Sequence, residues 1–333
     1  MTNMEKRVFL LRGKEQPLLR RHPWIFSGAV HRTEGDPQDG DRVSVCDVAG
    51  RVLGWGHYHE GSIRVKLIHM GGDPPGDAVF RVALEEAWAL RSALGFGPQG
   101  LTTGYRLVHG EGDQLPGLIV DVYGSLAVLQ AHTIGMHRER EMLAAALMAL
   151  PGLGIQAVYD RSSRTLPPAY ALTVRDGFLV GEAEGEQPFL EEGLQFLSDW
   201  ASGQKTGFFL DQRENRVLLG RYAPGRTVLN TFCYTGGFSL YALRAGASRV
   251  NSVDVSARAL SILEAHIRLN TPDPSVHQSH QAEVSPFLRQ QTERWDIVIL
   301  DPPAFAKSIN KRHQAVQGYK RLNAEGMARV QSG

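Results

Sequence analysis

A chain of 333 residues with an ordinary apolar content is long enough to bury the cores of two or three domains. It has no run of eighteen uncharged apolar residues, and the opening "MTNMEKRVFLLRGK" is too briefly apolar for a signal peptide, so a cytoplasmic protein with no membrane partner is expected. Its 36 basic and 35 acidic side chains nearly cancel, which leaves any nucleic-acid surface to local charge placement; Cys46 and Cys233 lack the paired spacing of zinc ligands, so no metal is expected.

The first seventy or so residues carry short apolar runs punctuated by glycine: "VFLL", "DRVSVCDVAG", "RVLGWGHYH" and "IRVKLIHM". This pattern predicts a small antiparallel β-barrel over residues 1–72. "GGDPPGD" breaks it, and Asp77 is placed to cap a helix whose apolar positions are Phe80, Leu84, Ala87, Leu90 and Leu94. Residues 73–200 then read as a mixed α/β unit, with strands at "GLIVDVY", "LAVLQAH", "GIQAVYD", "GFLVGEA" and "LQFLSDW" around one helix near 136–150. The acid-rich "GEAEGEQPFLEEG" reads as a solvated hairpin. In the last stretch, 201–333, short buried strands alternate with helices, the pattern of a parallel, doubly wound Rossmann-like sheet.

Three strands of that sheet end on polar residues, Asn230 after "TVL", Asp254 after "VNSV" and Asp301 after "IVIL". Ligands bind beyond the carboxyl ends of such strands, so the three share one functional rim. Between the first two strands, "NTFCYTGGFSLYAL" has Gly236 and Gly237 where the backbone can approach a ligand before a helix starts. Asp254 follows about twenty residues later, the spacing at which a carboxylate accepts from ribose hydroxyls, so a nucleoside-containing cofactor is expected. Asp254 and Ser256 could also simply cap the helix beginning "SARAL".

"NTFCYTGGFSL", "DVSARAL" and "DPPAFAKS", preceded by "GQKTGFFLDQRENR", resemble the S-adenosylmethionine-dependent methyltransferases that make 5-methylcytosine in large-subunit ribosomal RNA. "RRHPWIFSGAV" resembles the opening of that family's PUA domain, and "RLVHGEGDQLPGLIVDVYG" its middle domain, so the resemblance spans nearly the whole chain. It implies S-adenosylmethionine as cofactor, with Phe232, Tyr234 and Gly236 around its methionine part and Asp254 on its ribose. Asn230 belongs to the same rim. Glu283 stands where the family usually has an aspartate near the adenine. "KTGFFLDQR" covers the cofactor, with Phe208 or Phe209 packing, each equally able to serve as core, and Arg213 orienting.

Asp301 then faces the target base, where its carboxyl holds the base edge. Carbon 5 of cytosine becomes nucleophilic only when a thiolate adds to carbon 6. The resemblance places that cysteine on a strand beyond "GYKRLNAEGMARV", and no such stretch stands before "QSG", so a shortened sheet without the nucleophile is expected. Cys46 and Cys233 are expected to be packed core residues. Arg12, Lys14, Arg20 and Arg21, with His22, are expected to meet RNA phosphates if they are not merely solvated; Trp24 and Phe26 are expected in the core. Two other functions stay open: methylation of a base amine, which Ala304 in place of an aromatic after Pro303 weakens, and non-catalytic binding of RNA or cofactor. Oligomeric state is also open, a homodimer included.

Overall fold

The computed structural model describes residues 5–306 and 311–331. Lys307 and Ser308 of the "DPPAFAKS" motif and Gly333 lie outside them. The chain divides into two compact units, residues 1–192 with 198–202, and residues 193–197 with 203–333. No helix among the described residues is long and apolar enough to cross a membrane.

The first unit opens with β1 (Arg7–Leu10), α1 (Gln16–Leu19), β2 (Trp24–Phe26), β3 (Val30–Glu34), β4 (Arg42–Cys46), β5 (Val52–Tyr58) and β6 (Ile63–Met70). These strands form one sheet in the order β2-β6-β5-β4-β1-β3. It is not wholly antiparallel as expected, because β1 runs parallel to β4. Alternate residues Val8, Leu10, Val43, Val45, Val65 and Leu67 point into its core, which accounts for the period-2 pattern. Then come α2 (Ala78–Ala93), β7 (Gly104–His109), β8 (Leu118–Tyr123), β9 (Leu126–Ala131), α3 (Ile134–Arg138), α4 (Arg140–Ala149), β10 (Ala157–Asp160), α5 (Pro168–Ala171), β11 (Gly177–Val180) and β12 (Gln187–Glu191). A five-stranded sheet, β11-β10-β9-β8-β7, carries α2 and α4.

Several local expectations change. Asp77 sits at the N-cap of α2 without a capping bond and faces Arg42 at 3.4 Å instead. Phe80, Ala83, Leu84 and Ala87 bury, while Leu90 and Leu94 at the last turn are exposed. The helix near 136–150 is two helices that meet at Glu139, which accepts from Arg42 at 2.7 Å and lies 3.3 Å from the buried His57. The acid-rich stretch is only partly solvated: Phe189 is buried against Tyr123, ring centroids 5.2 Å apart, and Glu191 is buried too.

The second unit takes most of β13 (Leu194–Ser198), followed by α6 (Arg213–Gly220), β14 (Thr227–Thr231), α7 (Gly237–Arg244), β15 (Arg249–Asp254), α8 (Ala257–Asn270), β16 (His277–Gln281), α9 (Val284–Gln290), β17 (Ile297–Leu300) and α10 (Arg312–Met327). Four parallel strands run in the order β16-β15-β14-β17. Alternation splits their side chains between two cores, with Leu229 and Val253 packing on α9 and α10, and Val228 and Val250 packing on α6 and α7. This is the doubly wound arrangement the sequence predicts, with β17 an edge strand among the described residues.

Candidate cofactor and active site

β14 delivers the chain at Thr231 into a tight loop, residues 232–236, before α7 begins at Gly237. Three of its five residues have left-handed backbones, Phe232 (φ 53°), Tyr234 (φ 48°) and Gly236 (φ 79°). Only glycine adopts this conformation without strain, so the other two need outside support. The Cys233 N–H donates to the Val253 carbonyl at 3.1 Å, and the Tyr234 N–H donates to Asp254 Oδ2 at 2.9 Å. The other oxygen of Asp254 accepts from the Ser256 N–H, also at 2.9 Å. Each carboxylate oxygen keeps a further acceptor position, so Asp254 can orient the loop and still bind hydroxyls. Capping of α8 falls to Ser256, whose hydroxyl accepts from the Ala259 N–H at 3.2 Å.

The segment "GQKTGFFLDQRENR" closes on this loop. Tyr234 Oη accepts from the Gln204 N–H at 2.9 Å and donates to the Gly207 carbonyl at 3.3 Å. Phe209 meets the Tyr234 ring edge-on at 5.4 Å, whereas Phe208 is buried against Phe196 at 5.0 Å. Arg213, the first residue of α6, is partly buried and lies beside Glu214 at 3.2 Å. The buried arginine is Arg216, which sequence reasoning missed: it donates to the Phe209 carbonyl at 3.0 Å and its guanidinium lies 4.9 Å from the Phe208 ring. A helical arginine three residues from the expected one carries no distinguishing motif.

Asn230 is buried, and its amide donates to Ser239 Oγ at 2.9 Å. From there a polar chain crosses the sheet, Ser239 to Ser252 at 2.7 Å and Ser252 to His277 at 2.9 Å. Glu283 is exposed at the start of α9 and makes no capping bond. Asp301 lies at the end of β17, where partial desolvation, then the nearby Asp211 carboxylate, raise its pKa. That neighbour, from "FFLDQR", was not anticipated either. Phe305 rests on Tyr319 of α10 with ring centroids 4.4 Å apart.

Neither cysteine is poised as a thiolate. Cys233 is buried, and desolvation, then the Asp254 charge, push its thiol pKa far up. Cys46 is fully buried in the first sheet, and desolvation raises its thiol as well.

A family model for S-adenosylmethionine-dependent methyltransferases matches residues 106–326, and a PUA-like domain model matches residues 8–69. The chain belongs to this methyltransferase family. It is 39% identical to "Ribosomal RNA large subunit methyltransferase I" of Aeromonas hydrophila, covering 96% of this chain and 81% of that relative. It is 38% identical to the protein of the same name in Shewanella denitrificans, covering 99% and 84%. Among solved structures, a SAM-dependent methyltransferase from Streptococcus mutans superposes with a TM-score of 0.77 at 26% identity, covering 98% of this chain and 83% of that one. A methyltransferase complexed with SAH superposes with a TM-score of 0.78 at 25% identity, with the same coverage.

S-adenosylmethionine is therefore the cofactor, and the residues present fit it. Asp254 offers two anchored acceptors of the kind a ribose needs. The left-handed Gly236 is the N-cap of α7 and makes no side-chain capping bond, and the first N–H groups of a helix have no intrahelical partner, which suits a carboxylate. Phe232, Tyr234, Gly236 and Asp254 thus come together at one strand end. Phe208 and Asn230 are buried, Arg213 is partly buried, and Glu283 is exposed.

The expected phosphate-binding residues stand on the first unit. Arg12, Lys14, Arg20 and Arg21 are exposed, and none has an ion-pair partner among the described residues. Arg20 and Arg21 line a cleft of about 510 Å³ with His22 and Pro23, and Arg21 has a left-handed backbone (φ 64°). Phe26 is not core as expected but half exposed, and Trp24 is only partly buried, its Nε1 donating to Glu111 at 2.8 Å.

Proposed function

We propose that this methyltransferase modifies carbon 5 of a cytosine in large-subunit ribosomal RNA, working in the cytoplasm. The names of the relatives support the RNA substrate, and the exposed, unpaired basic residues beside a half-exposed aromatic support an RNA-binding role for residues 1–72. In this reading residues 73–200 form a middle domain and residues 201–333 the cofactor-binding domain. The bound cofactor supplies an electrophilic methyl group. The chain's own residues do the rest: Asp254 and the 232–236 loop fix the cofactor, and Asp301 holds the base.

The observation that carries this reading is the place of Asp301 at the end of β17, the strand paired with β14 that feeds the cofactor loop. A carboxyl there can hydrogen-bond the base edge and help draw electrons from carbon 6, where a thiolate must add. Burial and raised thiols make Cys46 and Cys233 poorly suited to that attack. Those two buried thiols favour a second reading, in which residues 1–333 by themselves bind cofactor and RNA without turnover.

The test incubates the 333-residue protein with unmodified large-subunit RNA and labelled S-adenosylmethionine. No 5-methylcytosine should form, and an extension supplying a cysteine loop should restore it, with Asp301→Ala abolishing most of the restored activity. Formation of 5-methylcytosine that is lost in Cys233→Ala contradicts the assignment.

A further inference from the structure

His266 is fully buried on α8, far in sequence from the motifs that mark the cofactor loop. Its Nε2 accepts the Leu197 N–H at 2.8 Å, and its Nδ1 lies 2.8 Å from the Thr235 carbonyl. A backbone N–H can only donate and a carbonyl can only accept, so both bonds form together in one state alone: a neutral ring with its proton on Nδ1. Burial supports that state by depressing the imidazole pKa to about 4.

The same helix face holds the strand that His266 touches. One turn on, Asn270 Oδ1 accepts from the Gln195 N–H and its Nδ2 donates to the Gln195 carbonyl, both at 2.8 Å. Phe196 packs its ring edge-on to His266 at 5.1 Å. The segment 195–197 is therefore pinned to α8, and His266 extends that pinned frame to Thr235. Thr235 sits inside the strained loop, directly before Gly236, and its own hydroxyl is buried without a partner. Support for the loop from Asp254 and Val253 reaches only Tyr234 and Cys233. His266 is the side chain that fixes the next peptide.

We propose that His266 is a positioning residue for cofactor binding, its Nδ1–H holding the Thr235 carbonyl so that the 232–236 loop keeps its binding conformation before the cofactor arrives. A loop with two strained non-glycine residues relaxes unless its surroundings over-determine it. Relaxation would be charged against cofactor affinity, since the loop would have to be re-ordered on binding. The proposal rests on the reading that this loop binds S-adenosylmethionine.

Two substitutions separate the two ring nitrogens. The amide of His266→Asn can reach the place of Nδ1 and donate to Thr235, whereas His266→Gln reaches the place of Nε2 and keeps only the Leu197 bond. Both lose packing, so both should lower Tm to a similar extent. Calorimetry with S-adenosylhomocysteine should show near-native affinity for the Asn variant and a loss of about three- to tenfold for the Gln variant. Equal affinity in the two folded variants overturns the proposal. Wild-type protein labelled with 15N-histidine gives a readout that needs no variant. It should show the Nδ1–H tautomer at His266, with exchange of that proton slowed by saturating S-adenosylhomocysteine. An Nε2–H tautomer, or exchange unaffected by the ligand, overturns it too. Failure of the wild-type protein to bind the ligand at all removes the cofactor reading itself, and this proposal with it.

Discussion

Asp301 and His266 show how burial sets the charge of single residues in opposite senses. At Asp301 partial desolvation and the Asp211 charge favour the protonated acid, so Asp211→Asn should bring its pKa back towards the ordinary carboxylate range. A 13C titration of the Asp301 carboxyl checks this, and an unchanged pKa would remove Asp211 from its surroundings. At His266 burial favours the neutral base. Its folded pKa, about 4, lies below the ordinary imidazole value of 6.5, so the unfolded chain binds more protons between those values. The stability it contributes is complete above pH 6.5 and is lost as pH falls through 4, on the order of a few kcal/mol in all. Denaturant titrations between pH 7 and 4 should show this fall, and His266→Asn should make it shallower, with His59, also lowered to about 4, still contributing. An equally steep fall in the variant would place the titrating group elsewhere.

At the scale of elements, the strands that matter most for function were the most legible. β14 and β15 are largely buried, β17 at the edge is partly buried, and all three read as short apolar runs ending in a polar residue, because parallel strands under helices have little solvated face to alternate with. β2, β3 and β7 were missed, being short or, in part, polar. The helix over 136–150 was legible as apolar spacing, but its break was not, since Glu139 is drawn aside by Arg42 and His57 from a distant part of the chain. Long-range ion pairs leave no local mark. The basic surface around α1 gives an element-scale prediction. Titrating the full chain with single-stranded ribosomal RNA over a salt series should give a steep dependence, and replacing Arg20 and Arg21 together with alanine should reduce the log–log slope by about 1.4. An unchanged slope would show that these arginines are only solvated.

On the scale of the whole molecule, the motifs "NTFCYTGGFSL", "DVSARAL" and "DPPAFAKS" were sufficient to point to a methyltransferase, and the family match agrees. They were legible because a cofactor loop needs particular residues at particular strand ends. The frame behind the loop was not: Arg216, Asp211, His266 and Thr235 act through tertiary contacts that many residue types could supply. Phe208 and Phe209 could not be told apart by sequence, because one aromatic beside another differs only in which face of the chain it occupies. The cofactor is expected at the rim that the 232–236 loop and Asp254 form together. The most direct measurement is calorimetric titration of the 333-residue protein and its Asp254→Ala variant with S-adenosylhomocysteine. The account predicts one site in the wild-type chain, weakened roughly tenfold or more when the charge-assisted hydroxyl contacts are lost. Equal affinity in the two proteins would contradict it.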